Sequence, residues 1–424
     1  MNVELAFGET GLVIDVPADR TTVVTPRQLD AVPDERQAVR AALRRPTAGP
    51  PLRDLVRAGQ TVAISMCDGT RPQPRRAMIP ALLDELDGIV RPGDVVVLVA
   101  TGTHRGNTRA ELEAMLGVDV LDRVRVVNHD ARDPAALRWV GWLAGDVPVW
   151  LHRAWVEADV RITTGFVEPH FFAGFSGGPK LVAPGLAGLD TVLALHDARR
   201  IGDPRATWGV TVGNPVHDAI REIAEATGVD FAVDVLLDRR HRIVDVFAGD
   251  LPAEHAAACR AARSLAMVRV PAEFDVVVTT NAGFPLDQNL YQCVKGISAG
   301  AAVVRKGGSL VCAAECRNGF PDHGSYREVL ASQSTPASLL RAIEARRVTV
   351  PDQWQAQIQC RAQARARVLF HTHGLTPAEV AGAHLQPAAD VTATVRDELA
   401  RFGPDATLCV LPEGPQTIAY VEAP

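Results

Sequence analysis

Four segments of the chain concentrate side chains that can move protons, hold anions or act as nucleophiles. The densest is Gly165-Phe-Val-Glu-Pro-His170-Phe-Phe-Ala-Gly-Phe-Ser-Gly-Gly-Pro-Lys180. Its glycines allow backbone to approach a planar or phosphorylated ligand, and its phenylalanines make an apolar wall. Such a wall desolvates an amine and lowers its pKa, which turns a lysine into a nucleophile. The run is not a phosphate-binding P-loop. That motif needs Gly-Lys followed by Ser or Thr; here Pro179 separates Gly178 from Lys180, and Leu181 follows. Sixteen residues beyond Lys180 stands His196, in Leu-Ala-Leu-His-Asp. A lone histidine on an apolar helix is more often a buried structural ring or a cap than a metal ligand.

The other three segments each follow an apolar, strand-like run. Asp68-Gly69-Thr70-Arg71 can offer backbone N–H groups to an anion, and Arg71 can clamp a carboxylate with two parallel hydrogen bonds. A surface turn with a helix cap reads equally well. Thr101-Gly-Thr-His104 puts an imidazole at the mouth of a strand-loop-helix unit, where it can transfer protons near neutral pH. The last segment runs from Asn281 to Gly296. In it Tyr291, Gln292 and Lys295 share a helix face by their spacing. A hydroxyl, an amide and an ammonium there suit a small oxyanion, although a solvated helix face has the same look. Only three of the 44 basic residues are lysines: Lys180, Lys295 and Lys306. Arginine cannot serve as an amine nucleophile because its guanidinium stays protonated, so each lysine is a candidate for a task that needs an amine.

The elements that must position these loops are short. Leu12–Val16, Thr61–Ser65, Asp94–Ala100, Val124–Asn128, Asp159–Thr164, Phe274–Thr280 and Ser309–Ala314 read as strands. Amphipathic helices lie between them, at Arg75–Leu86, Thr108–Leu116 and Asp218–Thr227. Continuous β-branched runs flanked by helices imply parallel strands buried on both faces. The expected class is α/β, with two layered domains and mostly parallel sheets. Binding residues then belong in loops at the carboxyl ends of strands, with the active site expected in the cleft between the domains. A chain of 424 residues is too long for one ordinary core. The boundary is expected near Val268, giving domains 1–268 and 269–424. The last strand-like stretch, Thr407–Pro412, is assignable to either domain.

Composition excludes several classes. A net charge of −6, from 44 basic and 50 acidic residues, argues against a nucleic-acid binder. No run of 18 apolar residues argues for a membrane span, and the first residues lack the pattern of a secretory signal. Seven scattered cysteines with no CxxC pair fit reduced thiols in the cytoplasm better than a disulfide framework or a zinc ribbon.

Taken together, the loops from about Cys67 to Trp354 resemble the nickel-pincer-nucleotide-dependent lactate racemases and their 2-hydroxyacid racemase and epimerase relatives. The most specific element is His170-Phe-Phe-Ala-Gly-Phe-Ser-Gly-Gly-Pro-Lys180 with His196 beyond it. The resemblance implies roles for these residues. Lys180 matches the lysine that carries the nickel-pincer nucleotide covalently through a thioamide, and His196 the one protein ligand to nickel. His104 and His170 match the paired acid/base histidines. Asp68, Gly69, Thr70 and Arg71 match a loop that touches cofactor and substrate, with Arg71 near the substrate carboxylate. Tyr291, Gln292 and Lys295 match further substrate contacts, and Trp354 an aromatic residue near the site. The implied reaction inverts C2 of a small, lactate-like 2-hydroxy acid by hydride transfer through a bound 2-keto acid, in an enzyme whose cofactor is supplied by separate synthesis enzymes. The same chemistry on malate, a longer or aromatic 2-hydroxy acid or an aldonate is the nearest alternative. A nucleotide-dependent transferase and a cofactor-binding protein without turnover are more distant ones.

Overall fold

A computed structural model describes residues 1–27, 29–322 and 324–422. Two compact units emerge. One comprises residues 28–196 and 204–263; the other comprises 1–27, 197–203 and 264–424.

In the first unit the runs read as strands form one six-stranded sheet. Its order is Ile243–Gly249, Phe231–Leu237, Val160–Phe166, Val62–Cys67, Val95–Ala100, Arg125–Asn128. All neighbours are parallel except the first pair. Val62–Cys67 is buried along its whole length. Val62, Ile64 and Met66 pack on one face with Met78 and Leu82 of the helix Arg75–Leu86, while Ala63 faces the opposite core with Ile220 and Ile223 of the helix Pro215–Thr227. This two-sided burial is why the run is continuously apolar. In chain order the strands read 3-2-1-4-5-6 across the sheet, so the order reverses between Val62–Cys67 and Val160–Phe166. A crevice opens outside the carboxyl ends at such a reversal, and the Asp68 loop and the Gly165–Lys180 segment leave the sheet there. Gln73 ties these ends together: its Oε1 accepts from Cys67 N (2.8 Å) and its Nε2 donates to Thr164 Oγ1 (2.9 Å). An antiparallel hairpin, Leu137–Leu143 with Val147–His152, also belongs to this unit.

The second unit holds a fully parallel sheet, ordered Gln386–Pro387, Arg367–His371, Val304–Ala313, Phe274–Thr280, Leu408–Leu411, Thr21–Val23. Its edge strand corrects the membership expected of the N-terminal residues. The N-terminal residues do not join domain 1–268. Thr21–Val23 pairs with Leu408–Val410. The antiparallel hairpin Asn2–Leu5 with Leu12–Asp15 buries Val3, Leu5 and Ile14 against Val276, Val278 and Val410. Residues 197–203 are held here too, because Gln357 and Arg361 donate to the carbonyls of Ala198 and Ile201 at 2.8 Å each. Leu408–Leu411 lies beside Phe274–Thr280, and Ile418–Tyr420 pairs with Met267–Arg269, so the end of the chain stays in this unit. All seven cysteines are buried free thiols. Among the described residues no helix is long and apolar enough to cross a membrane.

Candidate functional site

The Asp68 loop is built around two buried groups. Arg75, at the start of its helix, turns its guanidinium back onto the carbonyls of Cys67 (2.9 Å), Gln73 (3.0 Å), Arg71 (2.7 Å) and Asp68. Asp68 itself is 3% exposed, and its Oδ2 meets His104 Nδ1 at 2.7 Å. Its Oδ1 accepts from the Thr70 hydroxyl at 2.6 Å. Burial pushes the Asp68 carboxyl up, but the hydrogen bond and charge of His104, the charge of Arg71 and the Thr70 hydroxyl together hold it below the ordinary carboxylate range. Asp68 is therefore ionised near neutral pH, and its contact fixes the His104 proton on Nδ1. That leaves Nε2 with a lone pair, and an imidazolium formed there keeps a carboxylate partner. This is the orientation a general base needs. The side chain of His104 remains 41% exposed. Gly69 allows close approach: an added Cβ would sit 2.6 Å from Asn107 Nδ2. Arg71 is exposed, with Nη1 3.0 Å from the Thr70 hydroxyl.

The Gly165–Lys180 segment folds back as a short antiparallel pair, Pro169–His170 with Gly174–Phe175. His170 Nδ1 accepts from Ala173 N at 3.2 Å, so the neutral ring carries its proton on Nε2. Lys180 follows in the one-turn 3-10 helix Gly178–Leu181. His196 caps the C-terminus of the helix Leu189–Leu195 and is 8% exposed. Its Nδ1 lies 2.7 Å from Val192 O and must donate there, which orients the Nε2 lone pair as a metal ligand requires. One ring gathers these groups. Phe172 packs edge-on against His170 (centroids 4.5 Å apart) and against His196 (5.4 Å), and Lys180 Nζ lies 6.0 Å from its centroid. The His104 loop is tied to the same region, since Gly102 N donates to Gly185 O (2.9 Å) and Gly185 N to Lys180 O (3.1 Å).

The glycines of this segment serve the protein before any ligand. At Gly178, φ is +48° and an added Cβ would be 2.5 Å from the His255 ring; at Gly174, φ is +80° and it would be 2.0 Å from Val210 O. Beneath the segment, Asn214 Nδ2 donates to Phe172 O (2.8 Å), His217 Nδ1 to Ala173 O (3.1 Å) and His255 Nε2 to Ser176 O (2.9 Å). The two imidazoles stack at 5.6 Å. Burial, with the neighbouring ring, holds His217 down at about 3, and burial holds His255 at about 4. Both values lie below the ~6.5 of an unfolded chain. The unfolded state thus binds more protons as pH falls from about 6.5 toward 4, and stability is lost through that window. Each ring contributes on the order of 1 kcal/mol per pH unit there. The thermal midpoint is expected to drop between pH 7 and pH 5, less steeply in His217→Gln; equal slopes would contradict the assignment.

The remaining expected residues lie in the second unit. Tyr291, Gln292 and Lys295 occupy the half-buried face of the helix Leu290–Ala301, whose other side buries Cys293, Val294 and Ile297. Asn289 caps this helix through Gln292 N (3.1 Å). Trp354, 7% exposed, stands on the helix Gln353–Arg365, and its neighbour Gln355 donates to Tyr291 O at 2.7 Å. Sequence reasoning missed the orienting role of Asp68 and the whole contribution of Arg75, and gave Phe172 only a place in an apolar wall. The arginine at a helix start carries no local mark of its buried contacts. Among the described residues no three His, Cys, Asp or Glu side chains converge on a metal position, so a nickel ion beside His196 would need its other ligands from a bound organic group.

Asp68→Asn keeps the size of the side chain but removes the charge that supports an imidazolium at His104. Any turnover that passes through His104 is expected to fall roughly 10²-fold. Turnover within twofold of the parent would show that the contact does not support catalysis.

Two family models match the chain: the lactate racemase N-terminal domain over residues 7–209 and the lactate racemase C-terminal domain over residues 270–419. The lactate racemase of Thermoanaerobacterium thermosaccharolyticum is 34% identical over 423 residues, covering 98% of this chain and 99% of that protein. The lactate racemase of Lactiplantibacillus plantarum is also 34% identical, over 90% of each chain. The solved lactate racemase apoprotein from T. thermosaccharolyticum superposes with a TM-score of 0.92 at 33% identity, covering 99% of this chain and all of that one. A Thermotoga maritima crystal structure, 20% identical with a TM-score of 0.66 over 91% of this chain and 98% of that one, shares the fold. By these matches and the α/β architecture they share, the chain belongs to the lactate racemase family of isomerases.

Proposed function

We propose that this protein inverts C2 of a small 2-hydroxy acid, lactate first among them, using a nickel-pincer nucleotide attached to Lys180. The observation that carries the reading is the convergence at the sheet's reversal point. A carboxylate-oriented His104 stands there, beside a segment whose Phe172 gathers His170, Lys180 and His196. The residues present fit the group. Lys180 offers an amine for a covalent thioamide link, and His196 offers an Nε2 lone pair whose orientation is set by Val192 O. Neutral imidazole suits nickel.

When bound, the group supplies an acceptor for the C2 hydride, so that C2 becomes planar as a 2-keto acid. The protein does the rest. His104 Nε2 takes the hydroxyl proton, and Asp68 holds the resulting imidazolium. A racemase must handle the hydroxyl of both enantiomers, which calls for a second base, His170. The two rings are held differently: His104 Nδ1 meets the Asp68 carboxylate, whereas His170 Nδ1 accepts the Ala173 backbone N–H. Arg71, exposed at the loop tip, is assigned the substrate carboxylate. Tyr291, Gln292, Lys295 and Trp354 are assigned to substrate binding by the resemblance. Water exclusion would protect the keto acid. Cytoplasmic residence and dependence on cofactor-synthesis enzymes belong to the same reading.

The test is protein co-produced with those enzymes. Intact mass should show an adduct on Lys180 with one nickel per chain. Chiral chromatography against single-enantiomer lactate, malate, aromatic 2-hydroxy acids and aldonates should show inversion at C2, with lactate turned over fastest. A loaded protein that inverts none of them would overturn the proposal.

A further inference from the structure

Two carboxyl groups lie directly beneath the lysine-bearing segment, and the catalytic reading uses neither. Asp234 stands on the strand Phe231–Leu237, opposite Gly165 in the register. Glu254 stands on the helix Leu251–Ala266. They are 1% and 0% exposed. Asp234 Oδ2 accepts from Gly178 N at 2.7 Å, two residues before Lys180. Its Oδ1 fills the space where side chains at Gly165 and Gly177 would begin: an added Cβ would fall 2.5 Å and 2.7 Å from it. These glycines admit a carboxylate from below, which accounts for part of the Gly-Gly-Pro-Lys pattern.

The second carboxyl settles the charge. The Asp234 and Glu254 groups lie against each other. Asp234 Oδ1 and both Glu254 oxygens receive no hydrogen bond from a described N–H or hydroxyl. Two ionised carboxylates cannot be neighbours in a dry interior without a cation, so one of them keeps a proton and donates it to the other. Gly178 N–H already favours the ionised form of Asp234, so the proton belongs to Glu254. The titration tendencies agree. Burial first, then the Asp234 charge, pushes Glu254 well above the usual carboxyl range; burial raises Asp234 too, but the Gly178 N–H and the Glu254 hydrogen bond both work against that rise. Other titratable groups that interact with the pair are Cys259, Cys67 and Asp250.

We propose that Asp234, hydrogen-bonded by a protonated Glu254, is the positioning residue that fixes the Gly177-Gly178-Pro179 turn and thereby the amine of Lys180. It touches no substrate and acts through the Gly178 N–H. The importance of Lys180 rests on the proposed cofactor attachment, but the turn can be read without cofactor.

The scarcity of lysine makes the test clean. The full-length, cofactor-free protein is acetylated under limiting reagent, and the rate at each lysine is followed by peptide mass, with Lys295 and Lys306 as internal references. Amide hydrogen exchange is measured over residues 174–182 in parallel. Asp234→Ala is expected to lower exchange protection of that segment by about tenfold or more, and to speed acetylation of Lys180 while Lys295 and Lys306 keep their rates. Glu254→Gln donates an amide N–H to Asp234 as the protonated acid does, so it should stay within about twofold of the parent in both readouts, whereas Glu254→Ala should behave like Asp234→Ala. The Gln/Ala contrast decides the matter if Asp234→Ala does not fold. Unchanged protection and labelling in Asp234→Ala, equal loosening by Glu254→Gln and Glu254→Ala, or a rise at all three lysines together would each overturn the assignment. A missing adduct on Lys180 would instead sink the cofactor reading and leave this one standing.

Discussion

Lys180→Arg is expected to yield a folded protein that carries no cofactor mass and no racemase activity. Arginine keeps the positive charge near Phe172, where Lys180 Nζ now lies 6.0 Å from the ring centroid. It cannot supply an unprotonated amine, because the guanidinium never deprotonates in a protein. A role limited to charge would survive the substitution, and a role as nucleophile would not. Intact mass separates the two, with Lys180→Ala as the companion variant that removes both. An adduct of parental mass on either variant would reject Lys180 as the point of attachment. Lys180 is half-buried rather than part of the apolar core, so the thermal midpoint should stay near that of the parent.

His104→Ala has the second-largest expected effect. Removing a positioned general base costs roughly 10²–10⁴ in rate, and the loss should fall toward the upper end because the ring is held by an ionised, buried Asp68. The two enantiomers have equal free energy, so kcat/KM must fall by the same factor in both directions, whichever enantiomer His104 serves. Nickel content should be retained, because the ring nitrogen of His196 is oriented by Val192 O and not by His104. The double variant Asp68→Asn/His104→Ala should be no slower than His104→Ala alone, since the carboxylate acts only through the ring. Additive losses would give Asp68 an independent task.

The readable part of this chain was the part with local physical causes. Val62–Cys67 and Phe274–Thr280 lie inside two-sided sheets, so nearly every residue is buried and the sequence shows an unbroken apolar run. The polar loops after Val62–Cys67, Val95–Ala100 and Val160–Phe166 leave the carboxyl ends of the strands, and Asp68, His104, His170 and Lys180 lie in them. The helix Arg75–Leu86 matched its expected limits, and Thr108 proved to be a hydrogen-bonded cap rather than a first helical residue. The docking of Thr21–Val23 beside Leu408–Val410 had no local signature, because a three-residue edge strand paired across most of the chain is fixed by tertiary contacts alone. The antiparallel hairpin Leu137–His152 escaped for a different reason. Its Arg, Trp and Gly residues interrupt the apolar pattern, and Trp142 remains exposed. Buried charge was the largest blind spot. Arg75, Asp234 and Glu254 read as surface residues in a sequence, and only the fold shows which carbonyl, amide or carboxyl they meet.

The central claim is a hydride that leaves C2 and returns to it. Racemisation of a single enantiomer of lactate carrying deuterium at C2 tests this most directly, by rate and by the mass of the product. Slower turnover than with the protiated substrate, together with deuterium kept at C2 of the inverted product, is the predicted result. Equal rates with the label lost to water would mean that C2 is deprotonated as a carbon acid, and would contradict the account.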